Sequence, residues 1–166
     1  MRYSPTNPVR ILECFLTIFT GVNKMTIAWD NRFNVGHSTI DAEHKALLMI
    51  INSIELALRH PDDKEALLYF FNLLYETAID HFRYEEDLQI KHSYQHQQTN
   101  ADGHKSLIIE LTRIIDEIRT ITEHAIISEE DMLSLRKHVS FLAKGWLLAH
   151  VVQEDLKMKG FIADKY

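Results

Sequence analysis

Cysteine is nearly missing from this chain. Cys14 is the single one in 166 residues, which excludes an internal disulfide framework and a thiolate metal cluster and makes a reducing cytoplasm the natural compartment. Glycine and proline are scarce as well, at five and three, and Pro5 and Pro8 fall within the first ten residues. With so few turn signals, the rest of the chain favours long helices over many short strands. No Lys- or Arg-rich run occurs and the net charge is −6, so the electrostatic footprint of a nucleic-acid binder is lacking. The apolar run from Val9 to Phe19 is too short to cross a bilayer, which leaves no membrane partner.

What remains is 46% apolar and 25% charged, enough for one domain with a substantial core and cramped for two. Arg2 and Arg10 beside the Val9 to Phe19 run give the charge order of a signal peptide, yet no small-x-small cleavage site follows. Residues 1–24 therefore read as a poorly structured or mis-assigned N-terminal extension. Met25-Thr26-Ile27-Ala28-Trp29-Asp30 opens the domain, residues 25–166.

Four stretches carry a helical period. From Asp41, a plausible N-cap, to Arg59, the residues His44, Leu47, Leu48, Ile51, Ile54 and Leu58 form one stripe. His60-Pro61-Asp62 stops it. From Asp63 to Leu88 the stripe is Leu67, Phe70, Phe71, Leu74, Ala78, His81, Glu85 and Leu88. Gln89 to Thr99 is polar and without period, so it reads as a loop. From Asn100 to Thr122 the inward positions are His104, Leu107, Ile108, Leu111, Ile114, Ile115, Ile118 and Ile121. The fourth helix starts at Ser128, with Glu129, Glu130 and Asp131 complementing its positive end, and turns Met132, Leu135, Val139, Leu142, Trp146 and His150 inward. The expected architecture is all-α: an antiparallel up-down-up-down four-helix bundle, with Trp29 to Ile40 as an N-terminal arm along it.

Each stripe carries a histidine, and two carboxylates accompany them: His44, His81 with Glu85, His104, and His150 with Asp155. His81 and Glu85, one turn apart on the same face, can reach a single metal centre. Asp155 lies five residues past His150, so the backbone must tighten, widen or end within Val151-Val152-Gln153-Glu154 for both to reach one site. Any one of these is more often a hydrogen-bonded core histidine or a surface-paired acid. Together they would place four imidazoles and two acids inside one small bundle with hardly any buried cation, a difficulty that metal ions remove. Imidazole suits iron, copper and zinc, and bridging carboxylates suit a pair of hard divalent ions, so two metals, with iron favoured, are expected. The repeated Glu-x-x-His motifs of the ferritin-like oxygenases are absent.

These residues give the chain a resemblance to the hemerythrin family, in its single-domain bacterial form. The matching pieces are Trp29 with Val35-Gly36 and Ile40-Asp41-Ala42-Glu43-His44-Lys45, then His81-Phe82-Arg83-Tyr84-Glu85-Glu86, then His104, then Trp146-Leu147 with His150 and Asp155. They span about Met25 to Lys159, and the combined spacing is specific where each piece alone is weak. The resemblance implies two non-haem iron ions. It makes His44 and His81 terminal ligands of the iron that binds dioxygen, His104 and His150 ligands of the other iron, and Glu85 and Asp155 the bridges.

One departure stands out: the family pattern has a histidine four residues before the position of His104, and this chain has Asn100. An amide oxygen is a weaker donor than imidazole for such a metal. Water or His96 from the preceding loop are the other candidates to fill the position, His96 being the poorer one. His37, His60, His92, His124 and His138 are assigned no role.

The expected function is dioxygen binding for storage, delivery or sensing by a cytoplasmic monomer, and not catalysis. The alternatives are a di-iron enzyme acting on peroxide or nitric oxide or oxidising iron, and a bundle with a degraded iron site that serves as an interaction module. Leu47, Leu48 and Leu147, each within a turn of His44 or His150, are the expected lining of the oxygen pocket.

Overall fold

The structure, a computed structural model, describes residues 27–60, 63–123, 127–142 and 148–162. The N-terminal extension, Met25, Pro61, Asp62, His124, Trp146 and Leu147 lie outside the described residues.

The bundle is built from α1 (Ser38–Ala57), α2 (Lys64–Lys91), α3 (Gln97–Glu123), α4 (Glu129–Ser140) and α5 (Leu148–Gln153). Helix α1 packs on α2, α2 on α3, α3 on α4, and α4 returns to α1. That closed ring of sequential neighbours is the packing of an up-down-up-down bundle. Short connections enforce it: α2 and α3 are joined by residues 92–96 alone, with Ser93 at φ 51° in the left-handed region.

Local chemistry accounts for the starts. Asp63 caps α2 by accepting from the Ala66 amide at 2.9 Å, and Ser128 forms a reciprocal capping box with Asp131. Asp41 behaves differently from the expected cap. Helix α1 starts three residues earlier, and the Asp41 carboxylate accepts instead from the amides of Val35 (2.7 Å) and Gly36 (3.2 Å). Gly36, at φ 93°, supplies the left-handed turn that brings both amides to one carboxylate. The arm is thus fastened to α1, and Phe33 and Val35 are fully buried beneath it. At its start, Ile27 and the Asn52 side chain exchange two hydrogen bonds, at 2.8 and 2.9 Å.

The stretch expected as a loop from Gln89 to Thr99 is mostly helix. Helix α2 runs on through Lys91 and α3 begins at Gln97, because Gln89 is buried and makes its own partners inside the bundle. The expected stripes are otherwise inward. Phe70, Leu88 and Ile108 are only half-buried, and Phe82 and Gln89 join the interior of α2. A large apolar cluster runs along the bundle, and a smaller one, of Val35, Ile40, Tyr94, Met158 and Ile162, closes one end, with Leu156 packed against both. Among the described residues no helix is long and apolar enough to cross a membrane.

Candidate metal centre

In an up-down-up-down bundle the start of α1, the end of α2, the start of α3 and the end of the last helix lie at one end. His44, Glu85, His104 and His150 occupy those positions. The one irregular requirement, Asp155, is met by chain geometry. Helix α5 stops at Gln153, the Glu154 amide donates to the His150 carbonyl at 2.8 Å, and Asp155–Met158 continues as a tighter 3-10 turn. That change of pitch swings Asp155, fully buried, back beside His150, with Nε2 to Oδ1 at 3.2 Å.

All six expected residues are brought together, each buried, in two adjoining trios: His44 with His81 and Glu85, and His104 with His150 and Asp155. Within each trio the donor atoms lie within 4.8 Å of one another. The carboxylates span the pair. Glu85 reaches His81 through Oε2 (3.5 Å) and His104 through Oε1 (3.6 Å), while Asp155 reaches His44 through Oδ2 (3.3 Å) and His150 through Oδ1. Facing imidazoles are 4.7 Å apart, His44 against His81 and His104 against His150.

Sequence spacing missed the residues that hold these rings. The His81 Nδ1 meets the Glu43 carboxylate at 2.9 Å, and the His104 Nδ1 meets Glu86 at 2.8 Å. Each carboxylate fixes the tautomer that leaves Nε2 as a lone-pair donor toward the centre. Glu43 and Glu86 stand next in sequence to His44 and Glu85, but each serves a histidine on a neighbouring helix, a pairing no single-helix period reveals. Phe82 stacks on His104 at 4.0 Å and 11°, and Trp29 of the arm lies 6.0 Å from His44. Gly103 matters for want of a side chain: a Cβ there would come within 3.0 Å of the His150 Cε1.

Asn100 and Gln89 complete the surroundings. Both are buried, and each donates an amide N–H to Glu85 Oε1 at 2.9 Å. Asn100 lies inside α3, which begins at Gln97, so it does not cap the helix. His96 is exposed, its ring against Tyr94, and takes no part.

Electrostatics favour the neutral form of the His81 and His104 imidazoles. Burial lowers the His81 pKa, partly offset by its bond to Glu43, and burial with the neighbouring His150 drops His104 to about 3. The carboxylates diverge. Burial and the Asp155 charge push Glu85 well above its usual range, while for Asp155 burial is outweighed by His150 and His44, which hold it well below.

The donor set fits metal ions. No Lys or Arg is buried among the described residues, and His44 Nε2, His104 Nε2, His150 Nε2, Glu85 Oε2 and Asp155 Oδ2 are buried without a hydrogen-bond partner. Unpartnered buried acceptors in that number are costly unless a cation meets them.

Comparison with family models finds no match. Among curated proteins, the chain is 27% identical over 132 residues to a myohemerythrin from Theromyzon tessulatum, covering 80% of this chain and 90% of that one. Hemerythrin-like proteins from Naegleria gruberi and Naegleria fowleri are each 24% identical over 138 residues, covering 81% of this chain and 92% of theirs. The chain is thus similar to proteins of the hemerythrin family over about four fifths of its length.

Proposed function

We propose that this protein, like the hemerythrins it resembles, binds dioxygen reversibly at a non-haem di-iron centre held by His44, His81, Glu85, His104, His150 and Asp155. The observation that supports the reading is the pair of buried trios, with imidazole and carboxylate atoms left free toward a common interior and two carboxylates within reach of both trios. Imidazole nitrogen with bridging carboxylate is the donor mixture for a pair of divalent iron ions. A reduced iron pair supplies the electrons with which dioxygen is taken up and released.

The protein's part is to orient and to exclude water. Glu43 and Glu86 hold His81 and His104 in the donor tautomer. Leu47 and Leu48, buried one turn beyond His44, and Trp29 over its ring keep that side of the centre dry. A dry pocket slows the proton entry that would leave the centre oxidised. The wide reach of His-rich coordination, with only two acids, leaves little internal base for oxygen activation, which favours carriage over turnover.

The test is the visible absorption spectrum of the iron-loaded, reduced protein. The expected result is a band that forms in air, fades under vacuum and returns with air. Steady oxygen consumption without such a band would replace the carrier by an enzyme, and a protein that retains no iron would overturn the metal centre itself.

A further inference from the structure

The two trios differ in one respect that the ligand count does not capture. Each carboxylate turns one oxygen with no hydrogen-bond partner toward the first trio: Glu85 Oε2, 3.5 Å from His81 and 4.0 Å from His44, and Asp155 Oδ2, 3.3 Å from His44. The oxygens that face the second trio are engaged. Glu85 Oε1 accepts from both Gln89 Nε2 and Asn100 Nδ2, each at 2.9 Å, and Asp155 Oδ1 lies 3.4 Å from the same Asn100 nitrogen. A carboxylate oxygen offers about two lone pairs, so two amide donors leave Glu85 Oε1 nothing for a cation.

Neither amide turns freely. Each carries an oxygen without a partner, and turning it would set that oxygen against two acceptors: Glu85 Oε1 and Asp155 Oδ1 for Asn100, Glu85 Oε1 and the Met158 sulfur, 3.0 Å from Nε2, for Gln89. Gln89 is completely buried, one turn beyond Glu85 on α2.

We infer that Gln89, together with Asn100, makes the two metal positions unequal: the protein holds one iron firmly at His44, His81 and Glu85, and a second, exchangeable iron at His104, His150 and Asp155. This rests on the di-iron reading above and adds to it an order of loading. Gln89 is a positioning residue in this scheme. It acts through the Glu85 carboxylate, restraining the oxygen that the second iron needs as a bridge.

The experiment loads the metal-free protein with two equivalents of Fe2+ under anaerobic conditions, dialyses it against graded ferrozine and counts iron per chain. The wild type is expected to lose iron in two steps, with the second ion leaving first. Gln89→Met, which keeps the bulk and removes the donor, should move only the weaker step, to about tenfold higher chelator. Gln89→Leu, which also removes the donor, should move the same step in the same direction and covers the case in which Gln89→Met fails to fold. Release of both ions in one step by the wild type, variants that keep the wild-type weaker step, or variants that shift both steps alike would each overturn the inference. A wild type that retains no iron even without ferrozine would bring down the di-iron reading, and the inference with it.

Discussion

Asn100 is the residue on which this centre departs from the hemerythrin pattern it resembles. It is buried inside α3, four residues before His104 and thus on the same face, with its nitrogen on Glu85 Oε1 and its oxygen unpartnered. Replacing it by histidine would remove one of the two donors that occupy that oxygen and add an imidazole beside His104. Asn100→His is therefore expected to retain iron at about tenfold higher chelator than wild type, and to raise the melting temperature of the iron-loaded protein while leaving the iron-free form nearly unchanged. Equal or poorer retention in the variant, measured as iron per chain after chelator challenge, would show that this position does not limit the site. Since Asn100 is not the cap of its helix, the substitution carries no capping loss to confuse the result.

At the scale of elements, the site depends on how closely α3 approaches α5. Gly103 is the point of approach, since any side chain there meets the His150 ring. Glycine inside a helix is unfavourable by about 1 kcal/mol relative to alanine, so its presence costs local stability that the approach of His150 offsets in function. Gly103→Ala should accordingly move two measurements in opposite directions. The iron-free protein should melt at the same temperature or higher, while iron retention should fall about tenfold as the His150 imidazole is displaced. Retention equal to wild type would mean that the ring shifts without consequence. The change from α5 to the 3-10 turn belongs to the same scale: it alone converts a five-residue spacing into a shared site for His150 and Asp155.

For the whole molecule, a metal-loaded centre would act as a staple across segments that the apolar clusters also join. Removing iron leaves buried imidazole and carboxylate atoms without partners in the interior, and binding to the folded state alone is worth about 4 kcal/mol when free metal is a thousandfold above Kd. For a domain of this size that corresponds to roughly 8–16 °C in melting temperature. Calorimetry of the iron-loaded and chelated protein should show a drop of that order. An unchanged melting temperature would mean that no metal is linked to folding.

The sequence alone determined the class of fold and pointed to the six candidate donors. Scarce glycine and proline with sustained three- and four-residue periods demand long helices, and His44, His81, Glu85, His104, His150 and Asp155 each interrupt an apolar stripe or follow its end, a conspicuous pattern because polar groups on a buried face need partners. Only the tertiary structure decided the partners. Glu43 serves a histidine on the next helix, Glu86 one across the following connection, Asp41 binds the arm instead of capping α1, and Gln89, polar beside a loop and unremarkable in sequence, reaches the Glu85 carboxylate. Helical period reports the face on which a residue lies and carries no information about the helix opposite it. Contacts between elements are set by packing, and that is where the ordering of this centre resides.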